Sequence, residues 1–145
     1  MLYANQFESY CSARAITPLA LEYITETRDS EPSRTVGTRA RSNVCSSVVS
    51  EKMGRSITTE SHTAERAFTI LSEFDEGVLE FWDQPPPIKI EMVNKGDKAQ
   101  RVSYTPDFLL LTQSGPVVIE VKTLEKLEEL IVERRKNWVR TEKRE

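Results

Sequence analysis

The residues in this chain best placed to do chemistry are Asp107, Glu120 and Lys122. They sit in the stretch 104–122, YTPDFLLLTQSGPVVIEVK. It reads as two short apolar strands, 108–111 and 117–121, joined by the turn-forming residues 112–116. Side chains alternate faces along a strand, so Glu120 and Lys122 share one face and Val121 points the other way. Paired as an antiparallel hairpin, the start of the first strand lies beside the end of the second, and Asp107 falls next to Glu120 and Lys122. Two carboxylates and an ammonium at the rim of an apolar sheet suit a hard divalent cation. Mg2+ takes oxygen ligands and is commonly held by one or two carboxylates plus substrate phosphate. The lysine would orient or help activate an attacking water, or stabilise negative charge developing on phosphorus. The same residues also read as a plain hairpin with an exposed acid at one end and a surface Glu–Lys pair at the other.

The elements around this hairpin decide whether further groups can reach it. A helix is expected from about Thr59 to Phe74, where Ala64, Ala67, Phe68, Leu71 and Phe74 recur at three- and four-residue steps and form one buried stripe. Glu65 borders that stripe, a position from which a carboxylate can point into a cleft; a solvated role is the ordinary alternative. Glu60 lies near the helix N-terminus, where the macrodipole alone accounts for an acid. Residues 78–84 alternate as a strand, with Leu79, Phe81 and Asp83 on one face and Val78, Glu80 and Trp82 on the other. Pro85, Pro86 and Pro87 cannot donate ladder hydrogen bonds and bend or end it at an edge. Strand character resumes over 88–93, residues 94–97 form a turn, and 101–104 lead into the hairpin. A final helix follows Lys122, with Leu124, Leu127, Leu130, Ile131 and Trp138 on one face and a basic end.

Before Thr59 the pattern is weaker. Leu2, Phe7, Tyr10, Ala13 and Ile16 suggest a first helix. Thr17 and Pro18 supply an N-cap and a first-turn proline for a second, whose apolar face is Leu19, Leu21, Tyr23 and Ile24. Residues 31–55 read as loop or short irregular strand, with Arg34, Arg39, Arg41, Lys52 and Arg55 set against few acids. Such a basic stretch is either a surface contacting the phosphate backbone of nucleic acid or a solvated loop.

Bulk properties set the outer limits. With 145 residues the chain can build one domain with a real core, and a formal net charge of −3 confines any nucleic-acid surface to a local patch. Cys11 and Cys45 form no metal-ligand spacing and suit a reducing cytoplasm, and the single His62 cannot build a zinc site by itself. No apolar run approaches membrane-spanning length and no signal peptide is visible, so a cytoplasmic protein without a membrane partner is expected.

The order of Glu65, Pro106-Asp107 and Glu120-Val121-Lys122 resembles the PD-(D/E)xK nuclease superfamily. More narrowly, several phrases resemble the TnsA-like endonuclease subunit of heteromeric transposases: SEKMGR at 50–55 leading to Glu60 and Ser61, VLEF at 78–81 with Gln84 and Pro85, YTPDF at 104–108, and TLEKLE at 123–128. The likeness runs from about Arg34 to Trp138. It implies an α/β fold with a restriction-endonuclease-like core, in which a mixed central sheet is flanked by helices. A helical N-terminal extension over 1–33 would precede a catalytic domain over 34–145, read as lacking the family's final strand and C-terminal partner-binding domain. It implies Mg2+-dependent hydrolysis of phosphodiester bonds in double-stranded DNA at transposon 5′ ends, with Mn2+ able to substitute. The expected partners are a second transposase subunit and an ATP-dependent regulator of transposition. Carried over residue by residue, Asp107, Glu120 and the Val121 carbonyl would ligate metal, and Lys122 would assist the nucleophilic water. Glu65 would complete the acidic cluster, and Lys52 and Arg55 would lie by the DNA backbone. Glu120 stands where some members carry glutamine. Two other readings stay open on the residues: a stand-alone restriction- or repair-type nuclease, and a nuclease-fold module that binds DNA or protein without catalysis.

Overall fold

A computed structural model describes residues 1–31, 46–59, 64–93 and 99–133. The 33/34 boundary, Arg34, Arg39, Arg41, Glu60, the turn at 94–97, Trp138 and the basic C-terminal residues lie outside them. The chain opens with two helices, α1 (Ala4–Ala13) and α2 (Pro18–Asp29). Thr17 caps α2 by accepting from the Ala20 N–H at 3.3 Å, with Pro18 at the first helical position, as the sequence predicts.

A hairpin follows, β1 (Ser46–Ser50) and β2 (Arg55–Thr59), paired antiparallel. Its turn, 51–54, closes on Gly54, whose φ of 64° lies in the left-handed region that glycine enters without a Cβ penalty. The sequence reading leaves most of this segment as loop, yet β-branched Val48, Val49, Ile57, Thr58 and Thr59 flank the glycine turn. Helix α3 (Ala64–Phe74) leads into β3 (Val78–Asp83), then β4 (Ile88–Val93) and β5 (Ala99–Tyr104) form a second hairpin. β6 (Phe108–Thr112) and β7 (Gly115–Ile119) form a third, and α4 (Leu124–Glu133) comes last.

The core sheet has three strands in the order β3-β6-β7. Every described pairing is antiparallel, where a mixed sheet was expected. The cause is connection length: β6 turns into β7 through Gln113 and Ser114 alone, whereas a parallel neighbour needs a crossover, usually through a helix. Opposed residues share a face. Asp83 faces Phe108 in register, and the Phe68 ring of α3 lies 5.0 Å from that of Phe108. The opposite face carries Glu80 and Trp82, joined by a 3.1 Å bond from Trp82 Nε1, and meets the N-terminal helices. Tyr10, Cys11 and Ile24 from those helices share one core with Ile57, Phe81, Phe108 and Leu111.

Helix α3 does not bury the stripe its periodicity suggests. Leu71 is 69% exposed and Phe74 81%, while Thr69 and Ser72 are buried. A polar clamp sets this rotation. The Lys52 ammonium donates to the carbonyls of Ser72 (2.7 Å), Asp75 (2.7 Å) and Val78 (2.8 Å), using all three of its donors on the end of α3 and the start of β3. In return Glu73 accepts from the Lys52 N–H at 3.0 Å and from the Ser50 hydroxyl. These bonds fix which side of the helix faces β1 and β2. Burial alone would raise the Glu73 carboxyl, but the Ser50 and backbone donors and the Lys52 charge outweigh it and hold the group below its ordinary 4.5.

A second polar tie joins the N-terminus to the sheet. Glu80, fully buried, accepts from the Leu2 N–H at 2.6 Å, and the Arg28 guanidinium lies 3.5 Å from the same oxygen. Arg28 also stacks over the Phe7 ring, 4.0 Å from its centroid.

Two stability outcomes follow from these ties. Arg28→Met strands the buried Glu80 carboxylate and is expected to cost about 3 kcal/mol in urea unfolding. Restoring a neutral site with Arg28→Met/Glu80→Leu should recover part of that loss. The Glu73 contribution is present above the ordinary carboxylate value and disappears as the pH falls through its depressed one. Glu73→Gln should therefore lose less stability than the wild type between about pH 6 and about pH 3, while being less stable near neutrality.

Candidate active site

The site is built on the last rungs of the core sheet. Phe108 pairs with Ile119 in β7 and with Asp83 in β3. One residue further along, Asp107 lies between Gln84 on one side and the end of β7 on the other. Backbone bonds carry the ladder to this level: Gln84 N–H donates to the Asp107 carbonyl at 2.9 Å, and Asp107 N–H to the Ile119 carbonyl at 3.1 Å. Beyond it the pattern changes. The Val121 N–H donates at 2.7 Å to Asp107 Oδ2, so a side chain takes the place of the next ladder acceptor and β7 ends at Ile119. The second strand is thus shifted toward the turn relative to the sequence reading, starting at Gly115 and stopping before Glu120.

Glu120 and Lys122 sit just past that strand end on one side of the chain. The Lys122 ammonium binds Glu120 Oε1, and the Tyr104 hydroxyl donates to Glu120 Oε2. Tyr104 ends β5, three residues before Asp107 and in register with Ile88. Its phenol is pushed well above the ordinary tyrosine range, first by burial, then by the Glu120 hydrogen bond and the negative charges of Glu120 and Asp107. It therefore stays a neutral donor. Asp107, Glu120, Lys122 and Tyr104 form one connected group at the sheet rim.

The remaining predicted residues fall around this group. Helix α3 doubles back onto β3 through residues 75–77, and the Phe68 contact with Phe108 places its N-terminal half toward the Asp107 end of the sheet. Glu65 lies in the first turn of α3, half-buried, with its carbonyl accepting from Thr69 Oγ1 at 3.0 Å. Among the described residues no three His, Cys, Asp or Glu side chains gather closely enough to hold one ion, so Glu65, Asp107 and Glu120 do not make one three-carboxylate cluster. Lys52 spends its ammonium on the α3 end. Arg55 binds the buried Asp83 at 2.8 Å and lies 5.1 Å from the Trp82 ring centroid. Burial raises the Asp83 carboxyl above its usual range despite that opposing charge. The two cations expected beside the DNA backbone are thus engaged within the fold.

Two residues that the motif reading passed over belong to the site's frame. Tyr104 is one; its place in the phrase that also carries Asp107 is the signal. Gln84 is the other. It takes φ of 43°, unusual for a residue with a side chain, and its Oε1 is buried without a hydrogen-bond partner. The following Pro85, which restricts the residue before it, is what could have drawn attention there.

Two carboxylates at one end of a strand pair, both acting on the Tyr104 phenol, fit an oxygen-seeking divalent ion that keeps several waters. Asp107 and Glu120 would hold it, and the Lys122 ammonium lies against one of those carboxylates. Such an ion would polarise a phosphoryl oxygen and lower the pKa of a bound water.

No helix among the described residues is long and apolar enough to cross a membrane. No curated protein matches the chain. A family comparison does: residues 75–144, which contain β3 through α4 and with them Tyr104, Asp107, Glu120 and Lys122, match the TnsA-like endonuclease N-terminal family. Lys52, Arg55 and Glu65 precede the matched segment. The C-terminal half of the chain is thus similar to the N-terminal domain of TnsA-like endonucleases.

Proposed function

We propose that the protein is the Mg2+-dependent endonuclease subunit of a heteromeric transposase, hydrolysing phosphodiester bonds of double-stranded DNA at transposon 5′ ends. The observation that supports this reading is the cluster at the open end of β6 and β7, where Asp107 accepts from the Val121 N–H and Glu120 is bound by Lys122 and Tyr104, inside the TnsA-like segment. Asp107 and Glu120 hold the ion, with the Val121 carbonyl as a further ligand. Lys122 sits where it can orient the attacking water or meet charge on the scissile phosphate. Glu65, at the same end of the sheet, enters as an outer carboxylate that acts on the waters. The DNA approaches the rim where these groups emerge, and a partner transposase subunit and an ATP-dependent regulator supply the site choice.

Cleavage of a transposon-end duplex in Mg2+, with the partner subunit present, tests the reading. Asp107→Ala is expected to abolish strand cutting, and Lys122→Ala to slow it by about a hundredfold or more. Both variants should keep the wild-type circular dichroism spectrum. Retained cutting by Asp107→Ala would remove the mechanism. Replacing Mg2+ with Mn2+ should sustain cutting, and chelation with EDTA should stop it reversibly.

A further inference from the structure

We infer that Tyr104 is a positioning residue for Glu120 and sets the spacing between the two metal-binding carboxylates; this rests on the reading of Asp107 and Glu120 as that pair. Glu120 lies beyond the end of β7 with a third of its side chain exposed (37%), so the ladder does not hold it. Two groups do. Lys122 binds Oε1 but belongs to the same post-strand segment, two residues away, and would move with it. Tyr104 binds Oε2 from a different element, across sixteen residues of chain.

Tyr104 is itself fixed. Its backbone is the last rung of the β4–β5 ladder opposite Ile88, and it is followed by Thr105 and the buried Pro106 before Asp107. The proline lacks an N–H and has a fixed φ, which shortens the list of shapes this link can take. Asp107 is then locked to β3 and β7 by its own backbone bonds, and its carboxylate to the Val121 N–H. One short segment, 104–107, therefore carries both the first carboxylate and the hydroxyl that orients the second. From the neighbouring chain the Val121 N–H reaches back to Asp107 while Glu120 reaches to Tyr104. The two contacts cross-link the carboxylate pair from both sides, so that neither acid can swing without loosening the other.

The phenol makes no proposed contact with an ion or with DNA. Its action is through Glu120, in the manner of hydrogen-bond partners that orient a metal's ligands, whose loss typically weakens metal binding by about 10- to 100-fold. A phenylalanine keeps the ring and its packing and deletes only the hydroxyl.

Mn2+ binding to the whole chain, followed by the electron paramagnetic resonance signal of the free ion, separates the outcomes without any cleavage assay. Tyr104→Phe is expected to raise the Mn2+ dissociation constant about 10-fold, with an unchanged circular dichroism spectrum and unfolding midpoint. Asp107→Ala should abolish binding in the same titration. Wild-type affinity in a folded Tyr104→Phe protein would overturn the role of Tyr104 while leaving the carboxylate pair standing. Absence of Mn2+ binding by the wild-type chain would overturn the pair itself, and with it this assignment. Should Tyr104→Phe fail to fold, Lys122→Met supplies the complementary measurement. It leaves the Tyr104–Glu120 bond in place, so Mn2+ affinity should stay at or above the wild-type value; a loss as large as that of Asp107→Ala would show that Lys122, not Tyr104, holds Glu120.

Discussion

The buried carboxylate of Glu80 constrains more of this molecule than any other single group. A charged or polar group removed from water is costly unless donors meet it, and Glu80 has no exposure at all. Its partners are the Leu2 N–H and the Trp82 indole, which donate to it, and the Arg28 guanidinium, which pairs with it at 3.5 Å. Two of the three come from the first 28 residues, so the N-terminal helices cannot leave the sheet without stranding a charge in the core. The Arg28 stack on Phe7 ties the two helices to each other, and Arg14 reaches the Gln113 carbonyl at the β6–β7 turn. At the other end of the sheet the Tyr23 hydroxyl donates at 2.9 Å to the Pro86 carbonyl. That bond holds the proline corner following Gln84, the residue whose N–H fixes the Asp107 carbonyl. The helices therefore brace the sheet from its turn to its chemical rim.

What the bracing preserves is register. Side chains in a strand alternate with a period of two, so a slip of one residue between β6 and β7 would turn Glu120 away from Asp107. The two-residue turn at Gln113 and Ser114, and the Thr112 Oγ1 bond to the Gly115 carbonyl at 2.8 Å, leave little room for such a slip. Pro116 is tolerated because β7 is an edge strand, where a missing N–H costs no ladder bond. The same edge gives the site its access. With no strand beyond β7 among the described residues, the groups that follow Ile119 bond to side chains of the neighbouring segment instead of continuing a sheet.

The hairpin and the placing of Asp107, Glu120 and Lys122 at its open end were legible because they depend on local facts: apolar runs of strand length, turn residues between them, and charges at fixed positions. The extent of β7 was not. It is decided by the Asp107 carboxylate capturing the Val121 N–H, a side-chain contact that no propensity encodes. Helix α3 was legible as a helix but not in its rotation. Periodicity marks Leu71 and Phe74 as the inner face, whereas three backbone carbonyls seeking the Lys52 ammonium turn Thr69 and Ser72 inward. Lys52 and Arg55 read as phosphate contacts because a cation in a polar stretch carries no sign of its partner. Their partners are the C-terminal carbonyls of α3 and a buried aspartate, distant in sequence and visible only once the chain is folded. The antiparallel character of the sheet was obscured for a related reason: a family resemblance conveys a whole architecture, while pairing direction depends on each connection in turn.

The electrostatics of the rim explain how two acids can stand side by side on a protein that is already acidic overall. Like charges at close range destabilise each other unless neighbouring donors compensate. Here the compensation is divided by oxygen: a backbone N–H on Asp107, a phenol on one oxygen of Glu120 and an ammonium on the other. Two of these donors are neutral, one of them from β5, and Lys122 is the one of the three that carries formal positive charge. On the proposed reading this is the group a divalent ion must share Glu120 with. The ammonium lies at the end of a long side chain in the segment between β7 and α4. On that reading, a divalent ion held by Asp107 would repel the ammonium from Glu120. Tyr104, being neutral, feels no such repulsion and keeps its hold on Glu120 throughout. On that reading the site would pair a neutral donor that keeps Glu120 in place with a charge able to meet the substrate.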